Sequence, residues 1–138
     1  MEPNHCNILL VEDNPGDAAL VQEASHVTNG VEFCVASDGT IALRMLAEGL
    51  RPDIILLDLN LPMLSGLDVL RYLKGNPELR RIPVVILSSS SAVEDVVEAY
   101  NLYANSYLTK PKDFNGYVDL VQRVRQFWLE TVVLPHER

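Results

Sequence analysis

The chain carries little basic charge. Its 138 residues include 11 Lys and Arg against 19 Asp and Glu, which gives a formal net charge of −8 at pH 7. Proteins that bind nucleic acid or anionic membrane surfaces need clustered Lys and Arg to contact phosphate groups. This acidic excess therefore argues against both classes of partner.

Long hydrophobic runs are also missing. The longest purely apolar runs have only a few residues, as in Ile54-Ile55-Leu56-Leu57, whereas a membrane-spanning helix needs about 20. The N-terminus shows neither the basic region nor the apolar region of a signal peptide. With 48% hydrophobic and 22% charged residues, the composition is typical of a soluble globular domain. We therefore expect one cytoplasmic domain.

Cysteine and histidine are scarce. Cys6 and Cys34 are far apart and lack the spacing of a metal site or redox motif, so we expect reduced thiols. None of the three histidines has a second ligand at metal-binding spacing, which argues against a zinc site. These histidines are His5, His26 and His136.

Short apolar runs alternate with longer amphipathic segments along the whole chain. The apolar runs predict five strands, and each is followed by a pattern of helical periodicity. The third run is apolar on both faces, which is typical of a strand inside a parallel sheet covered on both sides. Alternation of this kind predicts an α/β sandwich with right-handed crossovers. The predicted strands cover residues 7–11, 31–36, 53–58, 83–87 and 106–109.

Charged and hydroxyl side chains follow four of the predicted strands. Glu12 and Asp13 end the first strand, and Asp58 ends the third. Ser88 ends the fourth strand, and Lys110 follows the fifth. The carboxyl ends of parallel strands meet at one edge of a sheet, so these side chains should lie together. Three neighbouring carboxylates repel one another unless a cation is present, and Mg²⁺ is the oxygen-seeking ion that fits best.

This group of side chains suits phosphoryl transfer. Asp58 would attack phosphorus, while Asp13, aided by Glu12, would hold Mg²⁺. Lys110 would pair with one phosphoryl oxygen, and Ser88 would donate a hydrogen bond to another. The product would be an aspartyl phosphate.

Several motifs together resemble the receiver domain of two-component response regulators, over about residues 5–130. The resemblance implies a doubly wound, flavodoxin-like α/β fold with a five-stranded parallel sheet of order 2-1-3-4-5 and helices on both faces. It also implies one receiver domain at 1–138, with an extended C-terminal helix and tail at about 114–138. The motifs are Val11-Glu12-Asp13-Asn14, the segment Leu56 to Gly66, Val84 to Ser88, Tyr107 and Lys110-Pro111.

The resemblance assigns a role to each matching residue. Asp58 would be the phosphoacceptor, Ser88 and Tyr107 the switch residues, and Lys110 the lysine of the pocket. It implies Mg²⁺ as cofactor, which Mn²⁺ could replace, and a cis Lys110–Pro111 bond. Considered alone, Ser88 could simply cap the next helix, and Tyr107 could serve only packing. The implied metal ligands are Glu12, Asp13, Asp58 and the backbone carbonyl of Asn60.

Two further motifs resemble single-domain regulators partnered with bacterial phytochrome histidine kinases. They are Asp13 to Ala18, and Phe127-Trp128-Leu129 followed by Leu134-Pro135. The implied phosphoryl donor is therefore a histidine kinase of the phytochrome type. Because only one domain is expected, output would pass through protein contacts, including a downstream phosphotransfer protein. The protein would catalyse only its own phosphorylation and dephosphorylation.

The last helix carries two apolar stripes. The first should face the core, while the second, formed by Leu120, Phe127 and Leu134, predicts an exposed interface. We expect a homodimer through this helix and the edge strand, unless Leu120 and Phe127 lie at the core margin or under the tail. The first stripe comprises Phe114, Tyr117, Val118, Val121, Val124, Trp128 and Val132, and the expected partner surface comprises Tyr107, Leu120, Phe127, Trp128 and Leu134.

Three other functions remain as alternatives. A receiver-like docking module that is never phosphorylated would usually have lost a pocket residue, and this chain has lost none. An aspartate phosphatase would want a second Asp two residues after the nucleophile, where this chain has Asn60. A flavin-binding protein would want a Ser/Thr-rich phosphate loop where Glu12 and Asp13 would repel phosphate.

Overall fold

Five parallel strands form the centre of the molecule. The computed structural model describes residues 6–28 and 30–135. The strands are β1 (Ile8–Val11), β2 (Phe33–Ala36), β3 (Ile54–Leu57), β4 (Val84–Ser88) and β5 (Ser106–Thr109). They pair in parallel in the order β2-β1-β3-β4-β5, which confirms the predicted topology.

One helix follows each strand. The helices are α1 (Pro15–Val27), α2 (Gly39–Ala47), α3 (Gly66–Gly75), α4 (Val93–Asn101) and α5 (Phe114–Val124), and a π-helix (Arg125–Thr131) continues α5. In the described residues, no helix is both long enough and apolar enough to cross a membrane.

Side-chain caps explain where most helices begin. Asn14, Asp38, Ser65 and Asp113 each accept a hydrogen bond from the backbone N–H three residues later, which satisfies a donor that the helix leaves unpaired. Helix α4 differs, because its N-cap is Ala92 and no side chain caps it there. The serines before α4 therefore do not supply the N-cap residue.

The sheet separates two hydrophobic clusters. Leu9 and Val11 face the cluster that includes side chains of α2, α3 and α4. Ile8 and Leu10, which alternate with them, face the cluster formed with α1 and α5. All residues of β1, β3 and β4 are buried, as expected for strands covered on both sides. This packing fixes the ends of the central strands, where the polar side chains lie.

The C-terminal segment corrects part of the predicted stripe pattern. Tyr117, Val121 and Val124 are buried as expected, but Phe114 is 38% exposed. Leu120, expected on a partner surface, is only 9% exposed and belongs to the core cluster with α1. The π-helix then leads to Val132–Pro135, which has no regular structure. Residues 1–5 and 136–138, with His5, His136 and the end of the expected tail, lie outside the described residues.

Candidate functional site

Three acidic side chains converge at the carboxyl edge of the sheet. Glu12 and Asp13 follow β1, and Asp58 follows β3. One carboxylate oxygen from each of the three lies within 4.8 Å of the others. Glu12 and Asp58 are both 3% exposed, whereas Asp13 is exposed. The structure thus brings together the residues that the strand-end argument predicted to be neighbours.

Lys110 reaches this cluster from the end of β5. Its Nζ lies 2.9 Å from Glu12 Oε1, 2.8 Å from Asp17 Oδ2 and 3.1 Å from Asp58 Oδ2. An ammonium has three N–H donors, and each of them can serve one of these carboxylates. Burial alone would lower the pKa of Lys110, but its bonds to Asp17 and Glu12 and the charge of Asp58 raise it above the ordinary value. Lys110 is therefore a permanent cation of the site.

The single ammonium does not balance the buried negative charge. Burial raises the pKa of Glu12 to about 7, Lys110 opposes the rise, and the neighbouring Asp58 adds to it. Three grouped carboxylates are the donor set that a hard divalent cation fits, because its charge removes their repulsion. Glu12, Asp13 and Asp58 are the side chains that would hold it.

Backbone amides orient the two buried carboxylates. The N–H of Asn60 donates to Asp58 Oδ1 over 3.1 Å, and the N–H of Asn14 donates to Glu12 Oε2 over 3.2 Å. Asn60, whose carbonyl was expected to bind the metal, therefore lies in the loop that also steers Asp58.

The predicted switch residues meet at the loop after β4. Ser88 is fully buried, and its hydroxyl accepts from the N–H of Ser90 over 3.2 Å. The hydroxyl of Tyr107 donates to the backbone carbonyl of Ser90 over 2.8 Å. Ser90 Oγ also bonds to Asp95 in α4. Ser90 thus lies between Ser88, Tyr107 and helix α4, a link that the sequence did not indicate.

Sequence reasoning also missed a role for Asp17. This residue was noted only as part of a motif, yet its carboxylate contacts Lys110. The available signal was its position, because Asp17 lies in the first turn of α1, a helix whose N-terminus follows the carboxyl edge of β1. The first turn of α1 begins directly after Asp13 and is capped by Asn14, which keeps Asp17 near the site.

The expected cis bond at Lys110–Pro111 is wrong, because every peptide bond in the described residues is trans. The trans isomer is the intrinsically favoured one even before proline. The N–H of Lys110 donates to the Ser88 carbonyl over 2.8 Å, which holds Lys110 at the end of β5. With this anchor, its side chain reaches Asp58 from a trans bond.

The expected partner surface is only partly exposed. Phe127 is 52% exposed, while Tyr107, Trp128 and Leu134 are half-buried. The rings of Phe127 and Trp128 make a T-shaped contact with centroids 5.2 Å apart. An apolar stripe is also exposed on α4, where Val93 is 73%, Val97 50% and Tyr100 46% exposed.

The chain is similar to known proteins in sequence and in fold. The response regulator receiver domain family matches residues 8–125. Response regulator Rcp1 of Synechocystis sp. is 44% identical over 135 residues, which cover 93% of this chain and 92% of that protein. The crystal structure of Mn²⁺-bound Rcp1 superposes with a TM-score of 0.85 at 43% identity, covering 95% of this chain and 99% of that one. The phosphorylated cyanobacterial phytochrome response regulator RcpA gives a TM-score of 0.86 at 42% identity, covering 96% and 99%.

Proposed function

Because the chain belongs to the response regulator receiver domain family, we propose that Asp58 accepts a phosphoryl group from a histidine kinase in a Mg²⁺-dependent reaction. The observation that carries this proposal is the position of the Asp58 carboxylate. It lies 3.1 Å from the Lys110 ammonium and within 4.8 Å of the Glu12 and Asp13 carboxylates. A carboxylate placed this way can approach phosphorus while cationic charge balances the phosphoryl oxygens.

The transfer forms one bond and breaks one. A carboxylate oxygen of Asp58 bonds to phosphorus, the P–N bond to the donor imidazole breaks, and the electron pair returns to the imidazole nitrogen. Lys110 pairs with a phosphoryl oxygen as a point charge. Within residues 6–28 and 30–135, the Ser88 hydroxyl accepts from Ser90 and donates to no partner, so its proton can bond a second phosphoryl oxygen. When bound, Mg²⁺ supplies further neutralisation of the phosphoryl charge.

The donor is a phytochrome-type histidine kinase in this proposal. The support comes from the similar phosphorylated protein RcpA, which is described as a cyanobacterial phytochrome response regulator and matches 96% of this chain.

Output passes through changed protein contacts. Phosphorylation that draws in the Ser88 hydroxyl would alter its bond to Ser90, and Ser90 also contacts Tyr107 and Asp95. The contacts of α4 and β5 would change together, which biases a two-state equilibrium. The surfaces affected are those of a homodimer and of a downstream phosphotransfer protein.

A phosphotransfer assay tests the proposal. Wild-type protein with Mg²⁺ and a phosphorylated phytochrome-type kinase should gain one phosphoryl group in its intact mass, and chelation of Mg²⁺ should prevent it. Asp58→Asn should gain none, while Asp119→Asn, which changes an exposed acid paired with Arg123 on α5, should behave as wild type. Uptake by Asp58→Asn at the wild-type rate, or no uptake by the wild type, would overturn the proposal.

A further inference from the structure

Lys110 is held by three carboxylates that differ in what else they do. Glu12 and Asp58 belong to the cation-binding cluster together with Asp13. Asp17, the third partner, lies outside that cluster and makes the shortest of the three contacts, at 2.8 Å. Asp17 therefore contacts Lys110 but does not belong to the group of carboxylates that would bind a cation.

The position of Asp17 is fixed by its helix. Its N–H donates to the side chain of the N-cap residue Asn14 over 3.0 Å, within the first turn of α1. Its side chain is 29% exposed and that of Lys110 is 11% exposed, so the pair is largely shielded from water. The bond thus joins α1 to the end of β5 through groups that have little freedom to move.

Cation binding and phosphorylation would change the other two contacts. A cation would engage the oxygens of Glu12 and Asp58, and a phosphoryl group would occupy an oxygen of Asp58. Neither event uses the carboxylate of Asp17. Among the carboxylates that Lys110 contacts in the described part of the chain, Asp17 is the partner that stays in place during the reaction.

We propose that Asp17 is a positioning residue for phosphoryl transfer to Asp58. It holds the Lys110 ammonium by one N–H, so that the other N–H groups face the oxygens of the incoming phosphoryl group. Asp17 contacts neither phosphorus nor the cation and acts through Lys110. This inference rests on the proposed phosphorylation of Asp58.

Two substitutions separate the bond from the charge. Asp17→Ala and Asp17→Asn both remove one negative charge, but the Asn amide keeps an oxygen that can accept from Lys110. With acetyl phosphate as donor and saturating Mg²⁺, we expect the phosphorylation rate to fall about tenfold in Asp17→Ala and at most about threefold in Asp17→Asn, because misplaced groups lose rate. Equal rates for the two variants would show that only the charge matters. Phosphorylation of Asp17→Ala faster than that of the wild type would show that Asp17 competes with the phosphoryl group for Lys110. Either result overturns the proposal.

A second measurement needs neither metal nor phosphoryl donor. In metal-free protein, the ammonium protons of Lys110 should exchange slowly with water, so its ¹⁵Nζ resonance should be visible. The resonance is assigned by its loss in Lys110→Arg. The signal should persist in Asp17→Asn and broaden or vanish in Asp17→Ala. An unchanged signal in Asp17→Ala would overturn the positioning role. Failure of wild-type protein to be phosphorylated would count against the proposed function instead, since this resonance reports only on the Asp17–Lys110 bond.

Discussion

Glu12 is a buried acid whose surroundings disfavour its charged form. It is 3% exposed, and burial together with the neighbouring Asp58 raises its pKa to about 7 despite the opposing effect of Lys110. A protonated carboxyl group binds cations poorly, so a metal ion that bound here would displace the Glu12 proton near neutral pH. Proton and metal would then compete for the same buried side chain.

We expect the metal-free protein to lose stability through Glu12 as the pH rises from about 4.5 to about 7. The folded state holds the Glu12 proton more tightly than the unfolded chain, so each pH unit in this window lowers the free energy of unfolding by up to about 1.4 kcal/mol. Urea titrations in EDTA across this pH range measure the effect. Glu12→Gln cannot titrate and should show a flatter profile, and identical profiles for the two proteins would contradict the prediction.

Tyr107 contributes a single hydrogen bond that joins β5 to the loop after β4. We expect Tyr107→Phe to lower the free energy of unfolding by about 0.5–1.5 kcal/mol, the usual net value of such a bond. Phosphorylation of Asp58 should continue, because the Tyr107 hydroxyl bonds to the Ser90 carbonyl rather than to the acidic cluster. Urea denaturation measures the loss. Tyr103→Phe, at a tyrosine that is 74% exposed, should change the stability little. An equal loss of stability in both variants would show that the Tyr107–Ser90 hydrogen bond does not cause the loss.

Helix α3 positions the loop that carries Asp58. Its first residue, Gly66, lies so close to this loop that a Cβ there would be 2.2 Å from the Asp58 carbonyl oxygen and 2.5 Å from Leu59 Cα. Both atoms belong to the backbone and cannot rotate away. Gly66 is therefore required by close approach, and the helix supports the phosphoacceptor directly.

Two alanine substitutions in α3 should have different effects on the stability of the protein. Gly66→Ala should destabilise the protein by about 1–3 kcal/mol or more, because it forces backbone atoms apart. Gly75→Ala places its Cβ where no atom lies within 4 Å, so it should be neutral or stabilise the protein by up to about 1 kcal/mol. Thermal and urea unfolding measure both. A Gly66→Ala protein as stable as the wild type would mean that α3 can shift away from Asp58 at no cost.

The sequence predicted the elements whose signals are local. Runs such as Ile54 to Leu57, apolar on both faces, predicted buried strands, and strand ends predicted the cluster of Glu12, Asp13 and Asp58. The order of the strands, the switch role of Tyr107 and the metal-binding carbonyl of Asn60 came from the resemblance to a family.

Contacts between distant elements were harder to predict. Helical spacing placed Leu120 on a second stripe, but the core face is wide enough to include it, while Phe114 at the start of α5 remains partly exposed. Asp17 looked like an ordinary first-turn acid, because nothing local shows that Lys110, which lies 93 residues later, reaches it. Both differences depend on how α1 and α5 pack on the same face of the sheet.

At the scale of the whole molecule, net charge and exposed apolar surface act against each other. The net charge is −8, so two copies repel one another over long distances. Yet Val93, Val97 and Tyr100 form an exposed stripe at i, i+4 and i+7 on α4, and Phe127 is exposed at the C-terminal end. Salt weakens the repulsion without weakening apolar contact.

Dimerisation should therefore strengthen with salt. The protein is measured in the presence of Mg²⁺ and beryllofluoride, a mimic of the phosphoryl group. When NaCl is raised from about 0.05 M to about 0.5 M, we expect it to self-associate more tightly, because the repulsion is screened. Light scattering or sedimentation measures the mass. Phe127→Ser should weaken association, whereas Val27→Ser, at an exposed apolar residue of α1, should not. A monomer at both salt concentrations would remove the dimer from the proposed function.

The π-helix after α5 has a consequence for how this part of the chain can change during evolution. Its interactions join residues five apart, as in the Arg125–Glu130 ion pair and the bond from Thr131 Oγ1 to the Gln126 carbonyl. Such a wide turn accommodates one more residue than an α-helical turn does. Deletion of one residue here would restore α-helical winding and rotate every later side chain about the helix axis. Insertions and deletions in this turn could therefore exchange the outward position of Phe127 with the inward position of Trp128, and so alter the binding surface without altering the receiver fold.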